Sequence, residues 1–134
     1  MKKIKAIIEK ANDGGISVYS EDVNGAYGFG LTEQEAKDDF MSVLEEQAEY
    51  YKEKHGDFPV WYKSGYSVDY IYDLSGFFEA FPFINASKFA TEIGMNESVM
   101  RKYKGKIVTA SDKQRALIQE RYNNLLRRME AVRF

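Results

Sequence analysis

An α+β chain in two units is what this sequence predicts, and three observations predict it. Apolar residues alternate at a period of two through much of residues 1 to 74, the period turns helical from Ser75, and the charge changes sign at the same place. Ile4, Ala6 and Ile8 alternate with Lys3, Lys5 and Glu9, Asn12 to Gly15 supplies turn chemistry, and Ile16 to Ser20 resumes the extended pattern, which makes a β-hairpin. After a second break at Asn24-Gly25, Tyr27, Phe29 and Leu31 alternate with Gly28 and Gly30. This third strand carries bulk on one face and leaves the other open to the close approach of a backbone or helix. Thr32 and Glu35 form a capping box, and Ala36, Phe40, Val43, Leu44, Ala48 and Tyr51 recur at helical spacing as far as Lys54, so one long amphipathic helix covers the sheet. His55-Gly56-Asp57-Phe58-Pro59 stops it. Tyr66, Val68, Tyr70 and Tyr72, alternating with Ser67, Asp69, Ile71 and Asp73, give a fourth strand and complete a βββαβ unit.

From Ser75 the pattern is helical. Ser75 to Phe81 has room for one short turn of helix before Pro82, and Asn85 caps a helix through Ala86, Phe89, Ala90 and Ile93 that stops at Gly94. Asn96 caps a shorter helix, Glu97 to Lys104, which Gly105 ends. Ser111 with Gln114 opens a long last helix in which Ile118, Tyr122, Leu125, Met129 and Val132 follow a four-three-four-three spacing. The natural boundary falls near Leu74, dividing the chain into residues 1–74 and 75–134.

A chain of 134 residues holds one ordinary domain or two small ones, and 44% hydrophobic and 15% aromatic content excludes wholesale disorder. The absence of cysteine excludes a disulfide framework, a Cys-based zinc site and a thiol nucleophile. The basic N-terminus meets Glu9 and Lys10 too early for a signal segment, and nowhere do roughly 18 apolar residues run together, so a soluble cytoplasmic protein without a membrane span is expected. The net charge of −2 conceals an asymmetry. Residues 1 to 74 carry eight Lys and Arg against fifteen Asp and Glu, a net −7, whereas residues 75 to 134 carry eleven against six, a net +5. Different partners for the two halves follow, with phosphate backbones suited to the basic one.

The stretch Asn85 to Gly105 has the sequence form of a helix-turn-helix. Ala90 is small where two helices cross, Gly94 permits a tight turn, and Met95, Val99 or Met100, and Tyr103 fill the core behind the second helix. Asn96, Glu97, Ser98, Arg101 and Lys102 then project outward, where the first residues of a recognition helix reach base edges. Ser87, Lys88, Lys104 and Lys106 are placed for phosphates. An ordinary helical hairpin would use the same small residues for packing alone.

Gly14-Gly15 before an extended run, Asp22-Val23-Asn24-Gly25, and the run from Tyr27 to Ala36 together resemble HicB-type antitoxins. The C-terminal half resembles the Xre-type helix-turn-helix appended to many members, through Ser75 to Phe78 and Met100 to Gly105. The resemblance covers most of the chain except roughly Lys54 to Lys63. Two features depart from it: Val23-Asn24 stands where a proline is usual before the loop glycine, and Asp57 to Tyr62 is an insertion. The resemblance implies a partial RNase H-like N-terminal fold that binds and inhibits a small basic ribonuclease toxin, a C-terminal module that represses through double-stranded operator DNA, and a homodimer or higher homo-oligomer. It implies no enzymatic activity and no cofactor. The alternative is a stand-alone regulator whose N-terminal domain only oligomerises or senses a ligand; a third class is an enzyme with a degenerate nuclease fold.

Other features carry less. Glu9, Asp22, Asp69 and Asp73 show no convergent spacing for two Mg²⁺ ions, and no metal site is expected. His55 has no nucleophile or ligand partner at readable spacing and suits the end of a helix. Gly25, Gly28 and Gly30 lack the lysine of a phosphate-binding loop. The aromatics from Trp61 to Tyr72 read mainly as packing, and Glu45, Glu46, Glu49 and Glu53 as a solvated helix face or the surface that meets a basic partner.

Overall fold

The computed structural model describes residues 1–134 and is α+β, a four-stranded mixed sheet with six helices. Strand β1 (Lys2–Lys10) pairs antiparallel with β2 (Ile16–Tyr19), β2 pairs antiparallel with β3 (Tyr27–Gly30), and β4 (Tyr66–Tyr72) lies parallel to β1 on its other side. The order is therefore β3-β2-β1-β4. A parallel return needs a crossover, which α1 (Glu33–His55) provides. The period-two alternation decides which face α1 covers: Ile4, Ala6 and Ile8 are fully buried with Val18, Ala36, Phe40 and Leu44.

The close approach expected at β3 is present. A Cβ on Gly28 would stand 2.5 Å from the Phe40 nitrogen, and one on Gly30 2.5 Å from the Ala36 nitrogen, so bare backbone on β3 meets the backbone of α1. Thr32 caps α1 by accepting the Glu35 amide at 3.2 Å. The reciprocal bond runs one residue further out, the Glu35 carboxylate accepting from the Leu31 amide at 3.0 Å, and Asp39 accepts from the Phe29 amide at 2.8 Å. These two carboxylates satisfy outward-facing donors of the β3 edge.

Helix α2 (Val60–Lys63) has no counterpart in the periodicity, because four residues are too few to show one. Tertiary contacts hold it. Trp61 meets Tyr66 edge-on and Tyr62 packs tilted against it, and the Tyr62 and Tyr66 hydroxyls each donate to Glu45 of α1 at 2.8 Å. Lys63 pairs with Asp57, which holds the Asp57 carboxyl below its ordinary value, and Lys52 lies over the Phe58 ring.

Burial raises the Tyr66 and Tyr70 hydroxyls above tyrosine's ordinary pKa of 10.0, with Glu45 adding to the effect at Tyr66, while the bond to Glu45 is the main cause at Tyr62. A folded pKa above the unfolded one means that this stabilisation is intact below pH 10 and lost as pH climbs through the folded values. Alkaline titration should therefore show tyrosinate absorbance and loss of circular dichroism rising together above pH 10. Glu45→Gln should move the Tyr62 and Tyr66 ionisations to lower pH.

The chain divides after Ala80 rather than at Leu74, into Met1–Ala80 and Phe81–Phe134. Helix α3 (Leu74–Ala80) belongs to the first unit despite its helical period. The Asp73 amide donates to the Ile8 carbonyl at 2.8 Å, the Lys10 amide donates to the Ser75 hydroxyl at 3.1 Å, and Gly76 lies against the β1 backbone at Ile8 with no room for a Cβ. The composition changes sign where the strands end, six residues before the packing does.

In the second unit, α4 (Ala86–Glu92), α5 (Glu97–Lys104) and α6 (Asp112–Glu130) are capped by Asn85, Asn96 and Ser111, each accepting the amide three residues on. Its core holds Ala86, Phe89, Ala90, Ile93, Met100, Tyr103, Ala110 and Ile118. No helix of the chain is long and apolar enough to cross a membrane.

Candidate nucleic-acid interface

The turn between α4 and α5 is built around Gly94, whose φ of 72° lies in the left-handed region. The Met95 amide donates to the Ala90 carbonyl at 2.8 Å and the Gly94 amide to the Thr91 carbonyl at 3.1 Å, the paired closure that ends a helix and frees the chain to start another. Ala90 is fully buried, which lets α4 and α5 cross closely. Gly94→Ala should cost about 1–2 kcal/mol, the penalty of a Cβ in left-handed backbone. Thermal unfolding of the variant against wild type reads this out.

A residue with no mark in the sequence holds this turn in place. From α6, the Arg121 guanidinium donates to the Ile93 carbonyl at 3.0 Å and the Gly94 carbonyl at 2.8 Å, and reaches the Met95 sulfur at 3.3 Å. A cation at the last carbonyls of α4 also complements the negative end of its dipole. Arg128 adds an ion pair to Glu92. Both arginines are thus engaged in the fold and leave the set of cations open to a ligand.

Of the two candidates for the α5 core position, Met100 is fully buried and Val99 is 38% exposed. With Met100 and Tyr103 inward, Ser98, Arg101, Lys102 and Lys104 face solvent. The Arg101 guanidinium donates to the Ser87 hydroxyl at 2.8 Å, tying the middle of α5 to the start of α4. The Asn96 side-chain oxygen accepts from the Val99 amide at 2.9 Å, and Glu97 accepts from the Thr91 hydroxyl at 2.7 Å, turned back onto α4. Lys88, Lys102 and Lys104 are exposed and make no ion pair. Lys106 sits just beyond Gly105 at a φ of 60°, and the Ile107 amide donates to the Lys102 carbonyl at 2.9 Å, so the left-handed residue after α5 is a lysine and not the glycine. Of the nine candidate residues, Ser87 and Lys88 lie on α4, Asn96 caps α5 from the turn before it, Glu97, Ser98, Arg101, Lys102 and Lys104 lie on α5, and Lys106 follows it.

In the first unit, Asp22 accepts from the Lys5 amide at 2.8 Å, Asp73 accepts from the Ser75 amide at 3.0 Å, and Asp69 stands in register with Lys5. No group of three or more His, Asp or Glu side chains is disposed to hold a metal ion. The His55 ring meets the Tyr51 carbonyl at 3.1 Å and stacks on the Tyr51 ring. A shallow open groove of about 450 Å³ runs along α1, lined by Glu45, Glu46, Glu49, Tyr50 and Glu53.

Comparison of the chain with protein-family models, with curated protein sequences and with solved structures gives no match. Fold and charge define an α+β protein with an acidic sheet unit and a basic helical unit.

Proposed function

We propose that the protein is an antitoxin-like transcriptional repressor. On this reading Phe81–Phe134 binds double-stranded operator DNA as a helix-turn-helix with α5 in the major groove, and Met1–Ala80 neutralises a small basic mRNA-cleaving toxin in the manner of HicB-type antitoxins. The observation that carries it is the α4–α5 pair: one face is closed on Ala90, Met100 and Tyr103, and the other presents Ser98, Arg101 and Lys102 beside cations without ion pairs. Ser98, Arg101, Lys102 and the Asn96 amide are assigned to base edges, and Ser87, Lys88, Lys104 and Lys106 to phosphates. Glu97, occupied by Thr91, is assigned to holding the turn.

Two observations support the rest. The order β3-β2-β1-β4 with α1 crossing from β3 to β4 supports reading the first unit as partial RNase H-like, and its acidic groove on α1 suits a basic protein, since opposite potentials steer association. Met129 near the end of α6 is 60% exposed and Val132, which the sequence placed on the helix, lies two residues beyond its end at Glu130 and is 52% exposed; a second copy laid on this apolar end of α6 would make a homodimer presenting two α5 helices to two half-sites. Inhibition by occlusion needs neither a catalytic residue nor a cofactor. The toxin half is tested by co-expression with the small basic protein encoded next to this gene: co-purification and loss of RNA cleavage are expected, and independent purification with undiminished cleavage refutes it.

A further inference from the structure

The two edges of the sheet are treated differently. At β3, Asp39 and Glu35 accept the Phe29 and Leu31 amides, which closes that edge to another strand. At the opposite end, β4 runs for seven residues in unbroken register with β1 and has no strand on its outer side. Tyr66 to Tyr72 holds one charge, Asp69, and neither lysine nor proline. A long edge of strand-forming residues without such guards pairs with whatever strand reaches it, and natural sheets cover or charge their edges for that reason.

We infer that β4 pairs antiparallel with β4 of a second copy, about a twofold axis at Val68, to form one continuous eight-stranded sheet. A twofold interface must be self-complementary, and Tyr66-Ser67-Val68-Asp69-Tyr70 is so about its centre. Val68 meets the second copy's Val68, and Tyr66 meets its Tyr70 on the face that carries Ile4 and Ala6. On the other face Ser67 meets the second copy's Asp69. Because Ser67 is in register with Lys3 and Asp69 with Lys5, the row across the seam reads Lys3, Ser67, the second copy's Asp69, and its Lys5. Each carboxylate lies between a hydroxyl and a lysine, and the strip at the seam is not acidic although the unit is. A one-residue slip, which puts the axis midway between two residues, turns core-facing side chains outward, and a register centred on Asp69 sets two carboxylates together.

The chain has no native cysteine, so single thiols test the register directly. In full-length protein, Val68→Cys places two Cα atoms about 4.5–5.5 Å apart and cross-links with a short bis-maleimide. Ile71→Cys places them about 20 Å apart and does not. Asp69→Lys, at an exposed position, keeps the circular dichroism of wild type and halves the mass measured by sedimentation. No cross-link in Val68→Cys, a stronger one in Ile71→Cys, or an unchanged mass in Asp69→Lys overturns the inference and leaves the edge to a strand from another protein. A dimer through α6 would survive that failure, so the DNA-binding reading stands or falls separately.

Discussion

Gly28→Ala is expected to unfold the first unit. The added Cβ would lie 2.5 Å from the Phe40 nitrogen and 2.7 Å from the Ala36 carbonyl oxygen, and both are backbone atoms inside a helix with no rotamer to change. Relief requires α1 to lift off β3, which opens the contacts of Ala36, Phe40 and Leu44 with the sheet. Overpacking of flexible side chains costs about 1–3 kcal/mol. Backbone against backbone should exceed about 4 kcal/mol, a large part of the 5–15 kcal/mol typical of a domain. Gly14→Ala is the control: its φ of 93° carries a conformational penalty, but nothing stands within 4 Å of the added atom. Circular dichroism should show the strand signal lost in Gly28→Ala and retained in Gly14→Ala. Equal stabilities would mean that β3 and α1 do not meet as described.

Arg121→Met should destabilise the second unit by about 2 kcal/mol and weaken DNA binding together. Methionine keeps much of the apolar stem but removes the donor to the part-buried Ile93 carbonyl and the exposed Gly94 carbonyl, and a bond from a charged donor contributes about 1.5–3 kcal/mol, less where it is exposed. Arg121→Lys restores a charged donor on a shorter stem without the planar guanidinium whose one terminal nitrogen meets both carbonyls, and should recover only part of the loss. Thermal unfolding gives the stability, and DNA titration below the melting range gives the affinity. A stability loss with unchanged affinity would show that the clamp does not orient α5.

What the sequence disclosed follows from where the determinants lie. Strands β1 to β4, α1 and the three capped helices were legible because alternation, caps and turn glycines are local, and each was written within a few residues of the element it specifies. The approach of α1 to β3 was legible for the same reason, Gly28 and Gly30 being two residues apart on one face. Helix α2 was not, since what folds it is Glu45, far away in α1, accepting from Tyr62 and Tyr66. The allegiance of α3 was hidden because Gly76 reports its contact only through the Ile8 backbone that it touches. At the candidate interface the outward residues could be read from helical spacing, whereas the choice of Met100 over Val99 and the part played by Arg121 depended on packing between helices. Arg121 looks like any arginine on a solvated helix until the carbonyls it meets are seen.

Whether α5 reads DNA is measured by fluorescence anisotropy of the full-length chain on duplex from its own upstream region, beside random-sequence duplex and across a salt series. Selective binding to the upstream duplex with a steep salt slope is expected. Lys104→Ala should lower that slope by about 1 and weaken binding to all sequences alike, and Arg101→Ala should cost about 1–3 kcal/mol and relax the sequence preference. Weak and equal binding to both duplexes at physiological salt, unchanged in Arg101→Ala, would contradict it, and α4 to α6 would then be a protein-binding unit.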